Sequence, residues 1–163
     1  DKFYYDKKRY SFPLQVFFLN KRFKMMKEAA ELTNCIMDRS IYGDVIFSRM
    51  LMEDGDMTIE EFNVYEELLF NMLEHIKKPK LMIYLESSVN HAISQIEKRG
   101  RDYELIVPHS YWESLNAHYR NYFDNYNLSD ILKINVDGLD FFNNENDRNY
   151  ILNLIDDKIN SLT

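Results

Sequence analysis

Lys80–Leu85 (KLMIYL) decides the architecture of this chain. Leu81 to Leu85 follow one another without a polar break, the pattern of a strand covered on both faces rather than one alternating between core and solvent. Strands of that kind belong to parallel sheets, whose members are joined by crossover helices. Downstream, Val89–Lys98 reads as a helix running into Arg99-Gly100-Arg101. Pro108 opens another helix, to about Tyr126, and Ile131–Val136 (ILKINV) reads as a further strand. An amphipathic helix over about 147–162 closes the chain. Upstream, Thr58 and Glu61 form a capping box, and Ile59, Phe62, Leu69, Met72 and Ile76 share one helical face. Before it comes a helix from about Val45 to Met52, ended by the turn Glu53-Asp-Gly-Asp56. Asn34–Asp38 (NCIMD) reads as a short buried strand followed by the polar loop Arg39–Asp44. Ser11 to about Leu32 reads as a helix capped by Ser11, with Pro13 tolerated in its first turn. Buried strands separated by helices predict an α/β fold, a parallel sheet flanked by helices. With no repeat, low-complexity tract or linker, residues 1–163 read as a single domain.

Three strands are few for a parallel sheet covered on both faces. The chain also opens abruptly in a charged, tyrosine-rich stretch, Asp1–Tyr10, without a Met. Residues upstream of Asp1 are therefore expected. At 163 residues and 45% apolar, the chain can bury one core. A net charge of −7 and a pI of about 5.1 argue against binding a nucleic-acid backbone, so any phosphate must be met by a few local arginines. The single cysteine, Cys35, excludes an internal disulfide framework and fits a reducing compartment. No run is apolar enough to span a bilayer or form a signal peptide, and the expected location is cytoplasmic.

Three groups of residues carry chemistry. On the helix after Ser11, Phe12, Gln15, Leu19, Arg22 and Met26 are spaced three, four, three and four apart, and so share a stripe. That stripe presents an amide and a guanidinium to an interior or a pocket, unless helix register drifts and carries both to solvent. Gln15 offers a donor and an acceptor side by side, the pattern that pairs with a nucleobase edge. The second group is Asp38-Arg39-Ser40, at the end of the expected strand, where ligands of open α/β sheets bind. A carboxylate there can hold Mg²⁺ or accept a proton, and the arginine can neutralise a phosphoryl group; an ordinary strand-end ion pair is the alternative. The third is Arg99-Gly100-Arg101 with Glu104, which suits a loop closing on phosphates and equally a helix-stop signal. His75, His91, His109 and His118 lack metal-ligand spacing. Cys35 reads as a small core residue, Trp112 and its tyrosine neighbours as packing, and Glu53–Asp56 as a turn rather than a calcium loop.

Taken in order, these pieces resemble the deoxynucleoside kinases of the deoxyadenosine/deoxyguanosine/deoxycytidine kinase type, over nearly the whole chain. Arg9-Tyr-Ser-Phe-Pro-Leu-Gln15 is similar to the family's R-W-S-F-x-x-Q segment, and Asp38-Arg-Ser-Ile-Tyr-Gly-Asp44 to its E-R-S-x-x-x-D motif. Ile83-Tyr-Leu85 and then Arg99-Gly-Arg-Asp-Tyr-Glu104 resemble its strand and LID region, and Asn135–Phe141 its last strand and following loop. The resemblance implies a P-loop-kinase-type fold, transfer of a phosphate from Mg²⁺-bound ATP to the 5′-hydroxyl of a deoxynucleoside, and a homodimer. By the same resemblance Gln15 would read the base, Tyr4 and Glu104 would hold the 3′-hydroxyl, and Phe47 would stack on the base in a loop one residue shorter than the family's. Arg39 would contact the 5′-oxygen and the transferring phosphate, while Asp38 would serve as metal ligand or proton acceptor. Arg99 and Arg101 would clamp the donor phosphates, with Gln95 at the family's first LID arginine, and Asp140-Phe141 would border the adenine. Arg22 and Asp44 match positions charged in these kinases. As a polar pair at the far edge of the base they favour a purine.

Besides Gln95, which leaves the clamp with fewer charges, two departures qualify the match. The motif acid is Asp38 where the family has Glu, and the P-loop G-x-x-x-x-G-K-S/T is absent from these 163 residues. The expectation is that roughly 40–60 further residues precede Asp1 and carry it, the size of a β–α–β unit and more. As it stands, the chain is expected to lack central strands, to fold poorly and not to catalyse. Two alternatives remain at this point: a nucleoside-monophosphate kinase such as thymidylate kinase, and a non-catalytic nucleoside-binding protein.

Overall fold

The structure, a computed structural model, describes residues 2–162. The chain divides into two compact units. The first runs to Lys77 and includes Asp102–Tyr119, and the second comprises Lys78–Arg101 together with the residues from Arg120 onward.

The first unit is helical. It contains α1 (Lys2–Tyr5), α2 (Lys7–Ala30), a 3-10 turn (Ile41–Gly43), α3 (Asp44–Glu53), α4 (Ile59–Leu73), α6 (Asp102–Leu105) and the start of α7 (His109–Asp124). Phe3, Met50, Leu51, Met57, Phe62 and Tyr111 form its core, with Phe12, Phe47 and Trp112 packed against it. Helix α2 starts earlier than the sequence reading has it. Asp6 is the cap, its carboxylate accepting from the Arg9 N–H at 3.3 Å. Ser11 is instead fully buried inside the helix, where its hydroxyl donates to the Lys7 carbonyl at 2.7 Å and is satisfied without capping. Pro13 accordingly lies inside α2 rather than in its first turn. The Thr58–Glu61 capping box forms as read, at 3.2 and 2.9 Å. The buried face of α4 is Phe62, Tyr65 and Leu69, while Ile59 faces solvent at 50% exposure.

The second unit holds a two-stranded parallel sheet, β1 (Leu81–Glu86) beside β2 (Asp130–Asn135), in register from Leu81↔Asp130 to Glu86↔Asn135. Alternate residues divide its faces. Ile83, Leu132 and Ile134 pack with Ile151, Leu154 and Ile155 of α8 (Glu145–Asn160). On the other face Tyr84 stacks on Phe123 of α7 at 4.3 Å, a contact worth about 0.5–1.5 kcal/mol beyond its area. Lys133 beside it reaches Asp124 at 2.6 Å. Helix α5 (Val89–Arg99) is capped by Ser88, whose own N–H donates to Asp137 at 2.9 Å.

Two expectations are corrected. Asn34–Asp38 is not a strand: it joins no ladder among the described residues, Ile36 is 97% exposed, and Cys35 is exposed rather than core. A five-residue segment with three apolar side chains has no strand conformation to keep without a neighbour to pair with its N–H and C=O groups. Nor is β1 buried on both faces. Only Tyr84 is buried, and Leu85 is 46% exposed, because two strands give little width to cover.

Candidate functional site

The most unusual chemistry in the first unit is a polar cluster inside its helical packing. Leu19 and Met26 of α2 turn inward, and the same stripe carries Gln15, 4% exposed, and Arg22 with them. The inward reading of the stripe therefore holds, and register drift does not carry these groups to solvent. Helix α3 supplies the partners. Asp44, its first residue, is buried, and its Oδ1 pairs with Nη1 of Arg22. Its Oδ2 is buried without a hydrogen-bond partner. One turn on, the fully buried Ser48 hydroxyl lies 3.5 Å from Gln15 Oε1 and 3.5 Å from the Asp44 main-chain carbonyl.

The electrostatics follow from that burial. Removal from water pushes the Asp44 carboxyl up from 3.8 to about 6, although the charge and hydrogen bond of Arg22, and the charge of Arg39, hold it down. Tyr65 of α4 completes the group, entirely buried beside Ser48, with its hydroxyl lacking a hydrogen bond of good geometry. Burial raises its pKa well above the ordinary phenolic value. Orphaned buried acceptors and donors are rare in proteins and mark places where a ligand group can complete the bonding.

Asp38 and Arg39 lie in the exposed loop between α2 and the 3-10 turn, not at a strand end. Arg39 has φ 63°, the one non-glycine residue in the left-handed region among those described. A side chain there costs about 1–2 kcal/mol, and such strain clusters at functional sites. Among the described residues no group of three or more His, Cys, Asp or Glu could hold a metal on its own. A lone exposed carboxylate such as Asp38 still fits Mg²⁺, which in nucleotide enzymes takes one or two carboxylates plus phosphate oxygens and water.

The remaining candidates of the first unit lie among aromatic rings. Tyr4 stacks on Tyr103 at 5.4 Å, the residue before the buried Glu104 of α6. Phe47 sits between Phe3 at 5.9 Å and Tyr111 at 6.4 Å. Trp112 packs edge-on against Tyr111 in the core, as the sequence reading has it.

The second unit holds the other candidates, all exposed. Gln95 and Arg99 are one turn apart on α5, and Gly100 ends that helix in the left-handed conformation, φ 66°, just before Arg101. Arg99-Gly100-Arg101 is thus a helix stop by geometry, and it leaves both arginines at the helix end. Asp140 and Phe141 follow β2 in a tight turn. The Asn143 side chain and N–H donate to the Asp140 carboxylate, holding its pKa below the ordinary value, and the Asp140 N–H donates to Asp147 at 2.8 Å.

Ser48 and Tyr65 are the polar residues of this cluster that the sequence reading misses. The available signal was spacing: Ser48 lies four after Asp44, and Tyr65 lies between Phe62 and Leu69 at helical intervals.

A family model described as deoxynucleoside kinase matches residues 1–160. The chain is 37% identical over 169 residues to deoxyguanosine kinase of Lactobacillus johnsonii, covering 98% of this chain and 75% of that protein. It is 36% identical over 160 residues to deoxyadenosine/deoxycytidine kinase of Bacillus subtilis, covering 96% and 72%. Deoxyadenosine kinase from M. mycoides with bound dCTP matches with a TM-score of 0.82 and 31% identity, over 98% of this chain and 78% of that one.

Proposed function

This chain belongs to the deoxynucleoside kinase family, a family of phosphotransferases with a P-loop-kinase α/β fold, and we propose that it moves the γ-phosphate of ATP to the 5′-hydroxyl of a purine deoxynucleoside. The observation that carries the purine reading is the buried Arg22–Asp44 pair beside Gln15, with one carboxylate oxygen unpartnered. Gln15 reads the base edge by paired hydrogen bonds. The pair meets the far edge, the orphaned Asp44 oxygen accepting from a 6-amino group and the Arg22 guanidinium donating to a 6-oxo group, where a purine extends further than a pyrimidine and the methyl of thymine would crowd the pair. Phe47 stacks on the base, and Tyr4 and Glu104 hold the 3′-hydroxyl.

Arg39 contacts the 5′-oxygen and the transferring phosphoryl group, and its guanidinium neutralises charge there. Asp38 accepts the hydroxyl proton or binds the metal. In the second role Asp38 would be a carboxylate ligand of Mg²⁺, which when bound would supply further charge neutralisation at the donor phosphates. Arg99 and Arg101, with Gln95, hold the donor phosphates, and Asp140-Phe141 border its adenine. Positioning and charge neutralisation then carry the reaction. In this reading residues 1–163 belong to one kinase domain, and the enzyme is a cytoplasmic homodimer.

Phosphorus NMR of the product made from ATP and deoxyadenosine tests the reaction. A deoxynucleoside 5′-monophosphate is expected, and conversion of nucleoside monophosphates to diphosphates in its place would refute it.

A further inference from the structure

Ser48 is buried in full, yet its hydroxyl faces two acceptors at the same distance, Gln15 Oε1 and the Asp44 main-chain carbonyl, each 3.5 Å away. A hydroxyl has one proton and two lone pairs, so it donates to only one of them at a time. When it donates to Gln15 Oε1, the amide is held with its carbonyl toward Ser48. When it turns to the Asp44 carbonyl, its oxygen can accept from the Gln15 Nε2, which supports the amide turned over by 180°. No other hydrogen bond to the Gln15 side chain is seen among the described residues, so Ser48 governs which way the amide points. From this geometry we propose that Ser48 is a positioning residue for Gln15, holding its amide in either orientation.

The consequence lies in the base, and it rests on the base-reading role proposed above for Gln15. Adenine presents an amino donor beside a ring acceptor, and guanine presents an oxo acceptor beside a protonated ring nitrogen. A glutamine pairs with one in one orientation and with the other only when flipped. A partner that can donate or accept lets the same side chain serve both, whereas a fixed donor would commit it to one. Both contacts are long for O–H···O bonds, which leaves the hydroxyl free to turn and lets a pairing base tighten whichever is used.

A double-mutant cycle of Ser48→Ala and Gln15→Ala tests this, with steady-state kinetics on deoxyadenosine and deoxyguanosine. Ser48→Ala is expected to raise KM for both purines about three- to tenfold with kcat within about twofold, the effect of one buried neutral hydrogen bond. In the Gln15→Ala background the same substitution should change KM by less than about twofold, because its object is gone. An unchanged KM in Ser48→Ala overturns the proposal, as does an equal effect in both backgrounds, which would make Ser48 only part of the packing. If Gln15→Ala alone leaves nucleoside KM unaltered, the base-reading role itself fails, and this inference with it.

Discussion

The Arg22 guanidinium on α2 pairs with Oδ1 of Asp44 at the first residue of α3, and the second oxygen of that carboxylate has no protein partner. The pair ties two helices together and leaves one acceptor on offer. Removing Asp44 takes away that acceptor and strands a cation that is itself mostly out of solvent. Asp44→Ala is therefore expected to lower kcat/KM for deoxyadenosine or deoxyguanosine about ten- to a hundredfold and to narrow the gap to thymidine. Equal losses for purines and thymidine would mean that the pair holds helices and does not read the base.

The same carboxylate gives a pH dependence. Folding raises the Asp44 pKa from 3.8 to about 6, so the folded state binds its proton more tightly than the unfolded chain does. Its contribution to stability is then full below pH 3.8 and is lost as pH rises through 6. Compared with Asp44→Asn, the native protein should lose on the order of 3 kcal/mol of relative stability between the two limits. The unpaired Arg22 of the variant is a constant offset that cancels. Urea unfolding of both proteins at acid and neutral pH measures it, and a pH-independent difference would show that Asp44 does not titrate in this window.

Arg39 combines an exposed guanidinium with a left-handed backbone, φ 63°. Glycine adopts that conformation without the steric cost, offset in part by its freer unfolded chain. Arg39→Gly should leave thermal stability unchanged or raise it by up to about 1 kcal/mol. Its kcat should nonetheless fall about a hundredfold or more. Stability and turnover moving down together would assign Arg39 to the structure of the loop.

Arg101→Ala is expected to reduce kcat far more than it raises the nucleoside KM, because the role proposed for it at the donor phosphates acts where charge moves during transfer. An unchanged kcat with a raised nucleoside KM would put this loop on the acceptor side.

Much of the fold was legible because its signals are local. Thr58 and Glu61 form the capping box that their spacing announces, and Gly100 ends α5 where a glycine after basic residues should. What failed depended on distant partners. Asn34–Asp38 has the composition of a strand, but a strand exists only through its neighbours, and none among the described residues pairs with it. Ser11 looked like a cap because Asp6, a better one, lay in a stretch read as a charged lead-in. For the candidate site, periodicity put Gln15 and Arg22 on one stripe but could not say which way it faced. Only the packing of α3, with Asp44 and Ser48 opposite, decides that. Tyr65 stayed hidden because a tyrosine on an apolar face reads as core until its hydroxyl is seen unpaired.

The purine pocket is tested most directly by kcat/KM for deoxyadenosine, deoxyguanosine, deoxycytidine and thymidine, measured with saturating Mg²⁺-bound ATP. A buried Gln15 beside the Arg22–Asp44 pair predicts that one of the two purines comes first, deoxycytidine next and thymidine last. One unmet polar group in the pocket separates good from poor substrates by about ten- to a hundredfold. A preference for thymidine would contradict the pocket reading.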